Sequence, residues 1–378
     1  MQRVDPEVPR LWLGLNSGTS ADALDLVLLE VAGAGAARCI RQRAFGSRPL
    51  PPELQQAVRA GGDWPSLARL HGALGRFFGE AARAFLEAQG VAPAELTAAA
   101  SHGQTVFHHD GDPAGGTLQL GAPALLAAEL GAAVAADFRW ADLAVGGQGA
   151  PISPWADRAL LGDAAERVVL NLGGIANLTW LQPGKPPQAW DAGPANGPLD
   201  ALCREALGEP CDRDGRRAAA GQVVAALLEV LQGDPYYALA APKSTGLEAH
   251  GGVLATQARA LAPDRTPEDL LATLVELVAW AVSESLRKVG WSGSEVLLCG
   301  GGRRNPALVA ALERHLPEAR LTPFQACGVD GDSREAAVFA LLGDALLLGE
   351  PVTWPSTTGG RCPAVLGSWS PVPVLDRT

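Results

Sequence analysis

Two segments of this chain follow the same plan, in which an apolar run leads into a turn of small residues and a second apolar run follows. The first is LWLGLNSGTSADALDLVLLEVA, which begins at Leu11, and the second is RVVLNLGGIANLTWL at residues 167–181. Apolar runs that flank a glycine turn predict a β-hairpin rather than a strand that feeds a helix. Because helical patterns follow each hairpin, we expect an α/β chain with duplicated halves.

The length of the chain supports a division into two domains. It has 378 residues, whereas single cores stop growing at roughly 250–300 residues. The regular pattern is interrupted by Gly146, Gly147, Gly149, Pro151 and Pro154. We therefore predict a first domain at residues 1–147 and a second at residues 148–378.

Composition excludes several classes of partner. The formal net charge is −11, and no run of Lys and Arg is present to follow a nucleic-acid backbone. The first ten residues lack the basic start and apolar core of a signal peptide, and no apolar stretch reaches the roughly 20 residues of a membrane span. The six cysteines are scattered without metal-ligand spacing, which favours a reducing compartment. We expect a cytoplasmic protein that binds neither nucleic acid nor membranes.

Periodicity predicts a strand at residues 133–137 and a series of helices. The proline- and glycine-rich tail at residues 351–378 is expected to lie over the surface. The predicted helices are residues 52–60, 66–89, 123–130, 199–207, 218–231, 267–289, 306–315 and 335–348.

Four glycine-containing segments have the composition of phosphate-binding turns, because glycine allows close backbone approach and many N–H donors. Taken singly, each is better explained as an ordinary turn, and neither the P-loop nor the dinucleotide fingerprint is present. Together, the four favour nucleotide binding. They are GLNSGTSADALD, NLGGIANLT, WDAGPANG and CGGGRRNP.

Two such hairpins in duplicated halves, with a late strand that ends in three glycines, resemble the actin, hexokinase and Hsp70 group. The chain resembles more specifically the anhydro-N-acetylmuramic acid kinases. The resemblance implies a two-domain actin-like ATPase fold, of duplicated ribonuclease H-like type, with a cleft between the domains. The phrases that carry it are GLNSGTSADALD, SHGQTVFHH, LQLGAP, ADFRWADLAVGGQGAPISP, NLGGIANLT, WDAGPANGPLDAL, APKSTGLE, CGGGRRNPAL, GDSREAAVFALL, PSTTG and VLGSWSP.

The resemblance implies an enzyme that uses ATP and Mg²⁺ to phosphorylate 1,6-anhydro-N-acetylmuramic acid while water opens the anhydro ring. It also implies a homodimer and a place in peptidoglycan recycling. Asp191 matches the family's general base, and the alternative is a carboxylate that only stabilises its own turn. Lys243 either reaches a phosphate or lines the rim of the site.

On the nucleotide side, the resemblance assigns the two hairpin turns to the phosphates and the late glycines to the adenosine. Asp22 and Asp25 are also candidate Mg²⁺ ligands, although Asp25 is equally consistent with a structural role. The cofactor-binding candidates are Gly18, Thr19, Ser20, Ala21, Asp22, Ala23, Leu24, Asp25, Asn171, Gly173, Gly174, Asn177, Gly300, Gly301 and Gly302.

On the sugar side, the resemblance points to a cluster in the first domain and one glutamate near the end of the chain. Arg139 suits the lactyl carboxylate, because a guanidinium binds a carboxylate through two parallel bonds. A surface ion pair is the alternative for Arg139, and a core histidine is the alternative for His102. The substrate-binding candidates are His102, Gln104, Thr105, Arg139 and Glu335.

The chain departs from the family pattern at four positions. Asn16 replaces the usual Met, Ala23 and Ala195 replace Gly, and Leu247 replaces Arg. Three other functions are compatible with parts of the sequence: an actin-fold kinase of an unmodified hexose or polyol, a non-catalytic ATPase switch, and a glycosidase with two carboxylates. The glycosidase leaves the phosphate-binding turns unexplained.

Overall fold

The computed structural model describes residues 5–18, 20–108 and 115–373. They form two compact units, the first made of residues 1–162 and 326–378 and the second of residues 163–325. The elements in the first 162 residues are β1 (Arg10–Ser17), β2 (Ala23–Ala32), β3 (Cys39–Pro49), α1 (Pro52–Ala60), α2 (Trp64–Ala88), β4 (Ala98–Phe107), β5 (Leu118–Leu120), α3 (Pro123–Leu130), β6 (Val134–Ala136), α4 (Trp140–Ala144) and α5 (Pro154–Leu161).

The first unit is built on a sheet whose strands run in the order β3, β2, β1, β4, β6. β1, β2 and β3 are antiparallel neighbours, whereas β4 is parallel to β1 and β6 is parallel to β4. The apolar stripe predicted on α2 packs against this sheet, with Leu70, Leu74, Phe78 and Ala81 buried. β5 pairs with β4 and extends the sheet at its side.

The second unit repeats this topology. Its five strands run in the order β9, β8, β7, β10, β11, with an antiparallel hairpin followed by two parallel strands. The duplicated α/β architecture predicted from the two hairpins is therefore confirmed. The elements are β7 (Arg167–Leu172), β8 (Ile175–Leu181), β9 (Gln188–Pro194), α6 (Asn196–Leu207), α7 (Arg216–Ala220), α8 (Ala225–Gln232), α9 (Leu247–His250), α10 (Gly252–Leu261), α11 (Pro267–Lys288), β10 (Glu295–Cys299), α12 (Pro306–His315) and β11 (Arg320–Pro323).

The rest of the chain returns to the first unit, so the division differs from the predicted boundary at residues 147/148. Arg334 donates to Asp157 through two bonds of 2.7 and 2.5 Å, which joins this last part to α5. At Gly14 in β1, a Cβ would overlap the carbonyl oxygen of Ala336, so the late helix lies directly on the first strand. The remaining elements are β12 (Gln325–Ala326), β13 (Val329–Asp330), α13 (Arg334–Leu348), α14 (Pro355–Thr358) and β14 (Ser368–Ser370).

The C-terminal tail corrects one expectation, because it does not simply lie over the surface. β14 adds an antiparallel edge to β6, and Val352, Thr353, Thr358 and Leu366 are buried. Thr358 donates its hydroxyl to the buried carboxylate of Asp142 at 2.7 Å. The proline and glycine content of the tail predicts irregular backbone but not its burial.

Most of the predicted helices are confirmed to within a few residues. α11 begins as its sequence indicates, with the Thr266 hydroxyl accepting from Asp269 N at 3.2 Å. The predicted helix at residues 218–231 is wrong, because α7 ends at Ala220 and α8 begins at Ala225. The break falls at Gly221, where a Cβ would overlap the carbonyl oxygen of Glu268. Among the described helices, none combines the length and hydrophobicity that crossing a bilayer requires.

Candidate active site

The first glycine turn joins β1 to β2. Ala21 is buried and takes a left-handed backbone conformation with φ of 55°, and its N–H donates to Gly18 O at 3.0 Å. The side chains of Ala21 and Leu24 belong to the core, so only their backbone groups are available to a ligand. Ser20 is exposed and Ala23 half-buried, while Thr19 lies outside the described residues.

Gln104 holds this turn in place. Its side chain is fully buried, its Oε1 accepts from Ser17 Oγ at 2.7 Å, and its Nε2 donates to the carbonyls of Gly18 and Thr105 at 3.1 and 3.2 Å. Both amide protons are thereby used. Thr105 Oγ1 accepts from Gln119 Nε2 at 3.4 Å. Gln104 supports the turn from behind, whereas the half-buried Thr105 keeps some exposed surface.

The two candidate metal ligands lie in different environments. Asp22 is exposed and pairs with Arg59 at 3.0 Å, whereas Asp25 is half-buried in β2. Burial raises the pKa of Asp25, as do Glu335 and Asp332, and a hydrogen bond with Ser47 opposes them. Within residues 5–18, 20–108 and 115–373, no group of three or more metal-ligating side chains gathers. This donor set fits an Mg²⁺ ion that arrives with ATP, since such ions take only one or two protein carboxylates.

Arg139 and His102 form a polar pair in the first unit. Arg139 donates to His102 Nε2 from Nε at 3.2 Å and from Nη2 at 3.0 Å, and to the carbonyl of Gly149 from Nη1 at 2.7 Å. The His102 ring stacks on Phe339 with centroids 4.4 Å apart. Burial lowers the pKa of Arg139 to about 10, and the nearby carboxylates of Glu335 and Asp142 oppose the shift.

These contacts fix the tautomer and the protonation state of His102. Because Nε2 accepts from Arg139, the proton of the neutral ring is on Nδ1, which is buried and has no hydrogen-bond partner in the described part of the chain. Burial and the charge of Arg139 hold the pKa of His102 well below its usual value. Within the described residues, His102 and Gly149 accept from three of the five guanidinium N–H groups. The two others, one on each terminal nitrogen, suit a planar carboxylate.

Gly149 is bracketed from both sides. Its carbonyl accepts from Arg139, and its N–H donates to Asp142 Oδ2 at 2.8 Å. Asp142 is fully buried and lies one turn along α4 from Arg139. This contact was not foreseen from the sequence, although Asp142 and Gly149 both fall within the phrase ADLAVGGQGAP. Through these two hydrogen bonds, Asp142 and Gly149 fix the position of the Arg139 guanidinium.

In the second unit, the loop of WDAGPANG packs on the second glycine turn. The backbone N–H groups of residues 195 and 197 donate to Gly174 O, and that of Asn196 donates to Gly173 O, at 2.9–3.0 Å. Asn196 Nδ2 also donates to Gly173 O at 3.0 Å. Asn196 was not predicted as a functional residue. Its hydrogen bonds hold the two loops together.

The late glycines lie against the same turn. A Cβ at Gly300 would lie 2.6 Å from Asn171 Oδ1, and one at Gly302 would lie 2.7 Å from Leu172 Cβ. A Cβ at Gly301, by contrast, would meet nothing closer than 3.9 Å. Gly300 and Gly302 are therefore required for packing. Gly301 leaves open space.

Asp191 lies on β9 and is held by neighbouring segments. Its Oδ1 accepts from Asn177 Nδ2, and its Oδ2 accepts from the backbone N–H of Thr245 at 2.9 Å. Burial raises the pKa of Asp191 to about 6, against the opposing effects of these two donors and of Lys243. These partners disfavour the alternative of a carboxylate that only stabilises its own turn. A buried carboxylate of this pKa is suited to accept a proton near neutral pH.

Tyr236 connects Asp191 to Lys243 and was missed in the sequence, where nothing in its spacing marks it. Its hydroxyl donates to the carbonyl of Asp191 at 2.8 Å, and its own carbonyl accepts from Lys243 Nζ at 3.1 Å. The same ammonium lies 4.1 Å from the centre of the Tyr236 ring. Burial lowers the pKa of Lys243 to about 8. The cation is thus held beside the candidate base.

The order of these turns and side chains along the chain is that of one known family. Residues 10–372 match the family model described as anhydro-N-acetylmuramic acid kinase. The chain belongs to this family. The prediction of a kinase of the anhydro-N-acetylmuramic acid kinase family is confirmed.

Relatives of the same name cover almost the full length. The anhydro-N-acetylmuramic acid kinase of Bordetella petrii is 43% identical over 370 residues, and that of Xanthomonas campestris pv. campestris (strain 8004) is 42% identical over 368 residues. Each match covers 96% of this chain, and 96% and 97% of the relatives. Among solved structures, component A of the (R)-2-hydroxyglutaryl-CoA dehydratase of Acidaminococcus fermentans is 13% identical, with 89% of this chain and 99% of that chain covered at a TM-score of 0.45. That likeness is too low to bear on function.

Proposed function

We propose that this kinase transfers the γ-phosphoryl group of ATP to O6 of 1,6-anhydro-N-acetylmuramic acid while water opens the anhydro ring. The products are N-acetylmuramic acid 6-phosphate and ADP. The observation that carries the proposal is Asp191, a buried carboxylate with its pKa raised to about 6 and both oxygens held by donors. Membership of the anhydro-N-acetylmuramic acid kinase family supports 1,6-anhydro-N-acetylmuramic acid as the sugar.

Asp191 acts as the general base in this reaction. It accepts a proton from water, the water oxygen forms a bond to C1, and the bond between C1 and O6 breaks. The electron pair released on O6 attacks the γ-phosphorus, and the bond to the β-phosphate oxygen breaks to release ADP. A simple sugar kinase needs no base for water, because no water enters its product.

Arg139 binds the lactyl carboxylate of the sugar. Its charge, its fixed orientation between His102 and Gly149, and its two remaining N–H groups support this role. His102, in its neutral form with the proton on Nδ1, donates to the sugar. Glu335 and Thr105 complete the polar contacts, while Gln104 positions the first turn.

The nucleotide phosphates bind the two hairpin turns. In the first turn, the contacts come from Gly18, Ser20 and the backbone between Ala21 and Asp25; in the second they come from Asn171, Gly173, Gly174 and Asn177. The segment from Gly300 to Gly302 supports the adenosine. Mg²⁺ would be held by Asp25 and by Asp22, once Asp22 leaves Arg59, and its charge would neutralise the β- and γ-phosphates.

We further propose that the kinase works in the cytoplasm as a homodimer in peptidoglycan recycling. The reducing compartment suggested by the cysteine pattern and the family's substrate support this placement. An anhydro sugar is the product of cleavage without water. The reaction that supplies it must therefore be a transglycosylation within one sugar rather than a hydrolysis.

The products test the reaction directly. Incubation with ATP, Mg²⁺ and 1,6-anhydro-N-acetylmuramic acid in water enriched in heavy oxygen should give a sugar that has gained one phosphoryl group and one labelled oxygen at C1. N-acetylmuramic acid without the anhydro bridge is the matched control. Phosphorylation that leaves the anhydro ring closed, or equal turnover of the control sugar, would exclude the proposed reaction.

A further inference from the structure

One polar side chain at the end of β1 contacts a sugar-binding candidate. Asn16 is 3% exposed, and its Nδ2 donates to Glu335 Oε2 at 2.8 Å. The two residues are 319 positions apart in the chain. An apolar side chain at position 16 would have no N–H group to donate.

The backbone on both sides of this contact is fixed. Glu335 lies in the first turn of α13, which packs on β1 so closely that no Cβ fits at Gly14. Arg334, the preceding residue, is locked by its two bonds to Asp157. With the backbone held on both sides, the orientation of the Glu335 carboxylate depends on the contacts of its side chain. The hydrogen bond from the Asn16 amide is one of these contacts.

The surroundings explain why a neutral donor suits this position. Asn16 pairs with Asp25 across β1 and β2, so the two side chains emerge on the same face of the sheet. Asp25 interacts unfavourably with both Glu335 and Asp332, and Arg139 interacts favourably with Glu335. Asn16 thus lies between two carboxylates and adds a hydrogen-bond donor without a further charge.

We propose that Asn16 is a positioning residue, which holds the Glu335 carboxylate in the orientation that binds the sugar. This inference rests on the proposed function of Glu335 as a sugar contact. Asn16 itself touches neither reactant. Its effect is confined to the sugar, because the contact it makes is with Glu335.

The experiment is a double-mutant cycle on sugar binding. Calorimetry would measure the Kd of 1,6-anhydro-N-acetylmuramic acid and of ATP for wild type, Asn16→Leu, Glu335→Ala and the double variant. Loss of one hydrogen bond to a charged group should weaken sugar binding about tenfold in Asn16→Leu. In the Glu335→Ala background the same change should have less than about a twofold effect, since the group it positions is gone. ATP binding by Asn16→Leu should stay within about twofold of that by wild type.

Two further variants keep the test decisive. Asn16→Met also removes the side-chain amide, and its unbranched side chain adapts to a tightly packed site. It should show the same selective loss for the sugar. Thr353→Val is the matched control, because it removes another buried polar group of the first unit, one that accepts from Ala364 N at 3.1 Å. It should leave both Kd values unchanged.

The outcomes separate this inference from the function on which it rests. Equal losses for ATP and sugar, or an unchanged sugar Kd in both Asn16 variants, would overturn the positioning role while wild type still turns over the anhydro sugar. A similar loss with and without Glu335 would also overturn it. Wild type that neither binds nor phosphorylates the sugar would overturn the proposed function itself.

Discussion

The two hairpins carry similar polar residues at the same register but place the carboxylate on different strands. Counted from the turn, the second pair is Asn16 and Asp25 in the first unit and Asn171 and Asn177 in the second. Asp25 on β2 pairs with Ser47 on the third strand of its unit, whereas Asn177 on β8 pairs with Asp191 on the third strand of the other unit. The carboxylate therefore lies on the second strand of the first unit and on the third strand of the second unit.

The two carboxylates have different electrostatic surroundings. Asp25 has Glu335 and Asp332 among its electrostatic neighbours, an anionic setting that favours a cation. Asp191 lies beside Lys243 and accepts from Asn177 and Thr245 N, so its anion is stabilised by fixed donors while burial favours its neutral form. In the roles proposed above, the metal ligand and the base occupy neighbouring strands at the same register of the duplicated fold.

The largest expected effect is on turnover when Asp191 becomes Asn. This change keeps the shape of the side chain and removes the base, so kcat should fall by about 10³-fold while the Kd values of ATP and sugar stay nearly constant. Steady-state kinetics and calorimetry measure the two quantities.

Asp212→Asn is the matched control in the same unit. Asp212 is also a buried aspartate that accepts two backbone N–H groups, from Arg217 and Ala218 at 2.9 and 3.0 Å. It should turn over like wild type. If Asp191→Asn kept its kcat but lost ATP binding, Asp191 would belong with Asp25 on the nucleotide side.

Arg139→Ala should affect recognition rather than chemistry. Losing the charge-assisted pair should cost about 2–3 kcal/mol, or roughly 30–150-fold in the Kd of the muramic acid derivative. The analogue 1,6-anhydro-N-acetylglucosamine lacks the lactyl group and should lose far less. An equal loss for both sugars would show that Arg139 does not bind the lactyl carboxylate. Arg139→Lys should recover only part of the discrimination, because an ammonium cannot form the planar pair.

The smallest effect is a shift in the pH profile, which tests the contact across β8 and β9. With the pKa of Asp191 raised to about 6, kcat/KM of the wild type should fall as the pH drops below that value, because the base becomes protonated. Asn177→Leu removes a donor that favours the anion, so the acid limb should move to higher pH by about one unit. Thr179→Val, two residues along the same strand, should leave the limb in place. A shift to lower pH would contradict the assignment of Asp191 as the group that titrates.

The features that sequence predicted well are those set by local pattern. The two hairpins follow from apolar runs around small residues. The roles of Asp191 and Arg139, which come from phrases typical of the family, stay predictions. Neither their partners nor their environment can be predicted in this way. Tyr236 has no distinguishing spacing, and the contact between Asn16 and Glu335 joins residues 319 positions apart.

The division between the units differs from the expected boundary for a related reason. The amphipathic pattern of α13 shows that one face is buried, but not which sheet covers it. The decisive contacts are the close approach at Gly14 and the ion pair of Arg334 with Asp157, both made by residues remote in sequence. Glycine and proline near residue 150 mark a loop correctly. They do not show that the chain comes back after residue 325.

That return has a consequence for synthesis on the ribosome. The second unit is continuous, whereas the first is completed only by residues 326–378. As the nascent chain emerges, β1 is made early and its covering helix α13 is among the last elements to appear. The second unit can fold while it is being translated, but the first must wait with one face of its sheet uncovered until translation is nearly finished.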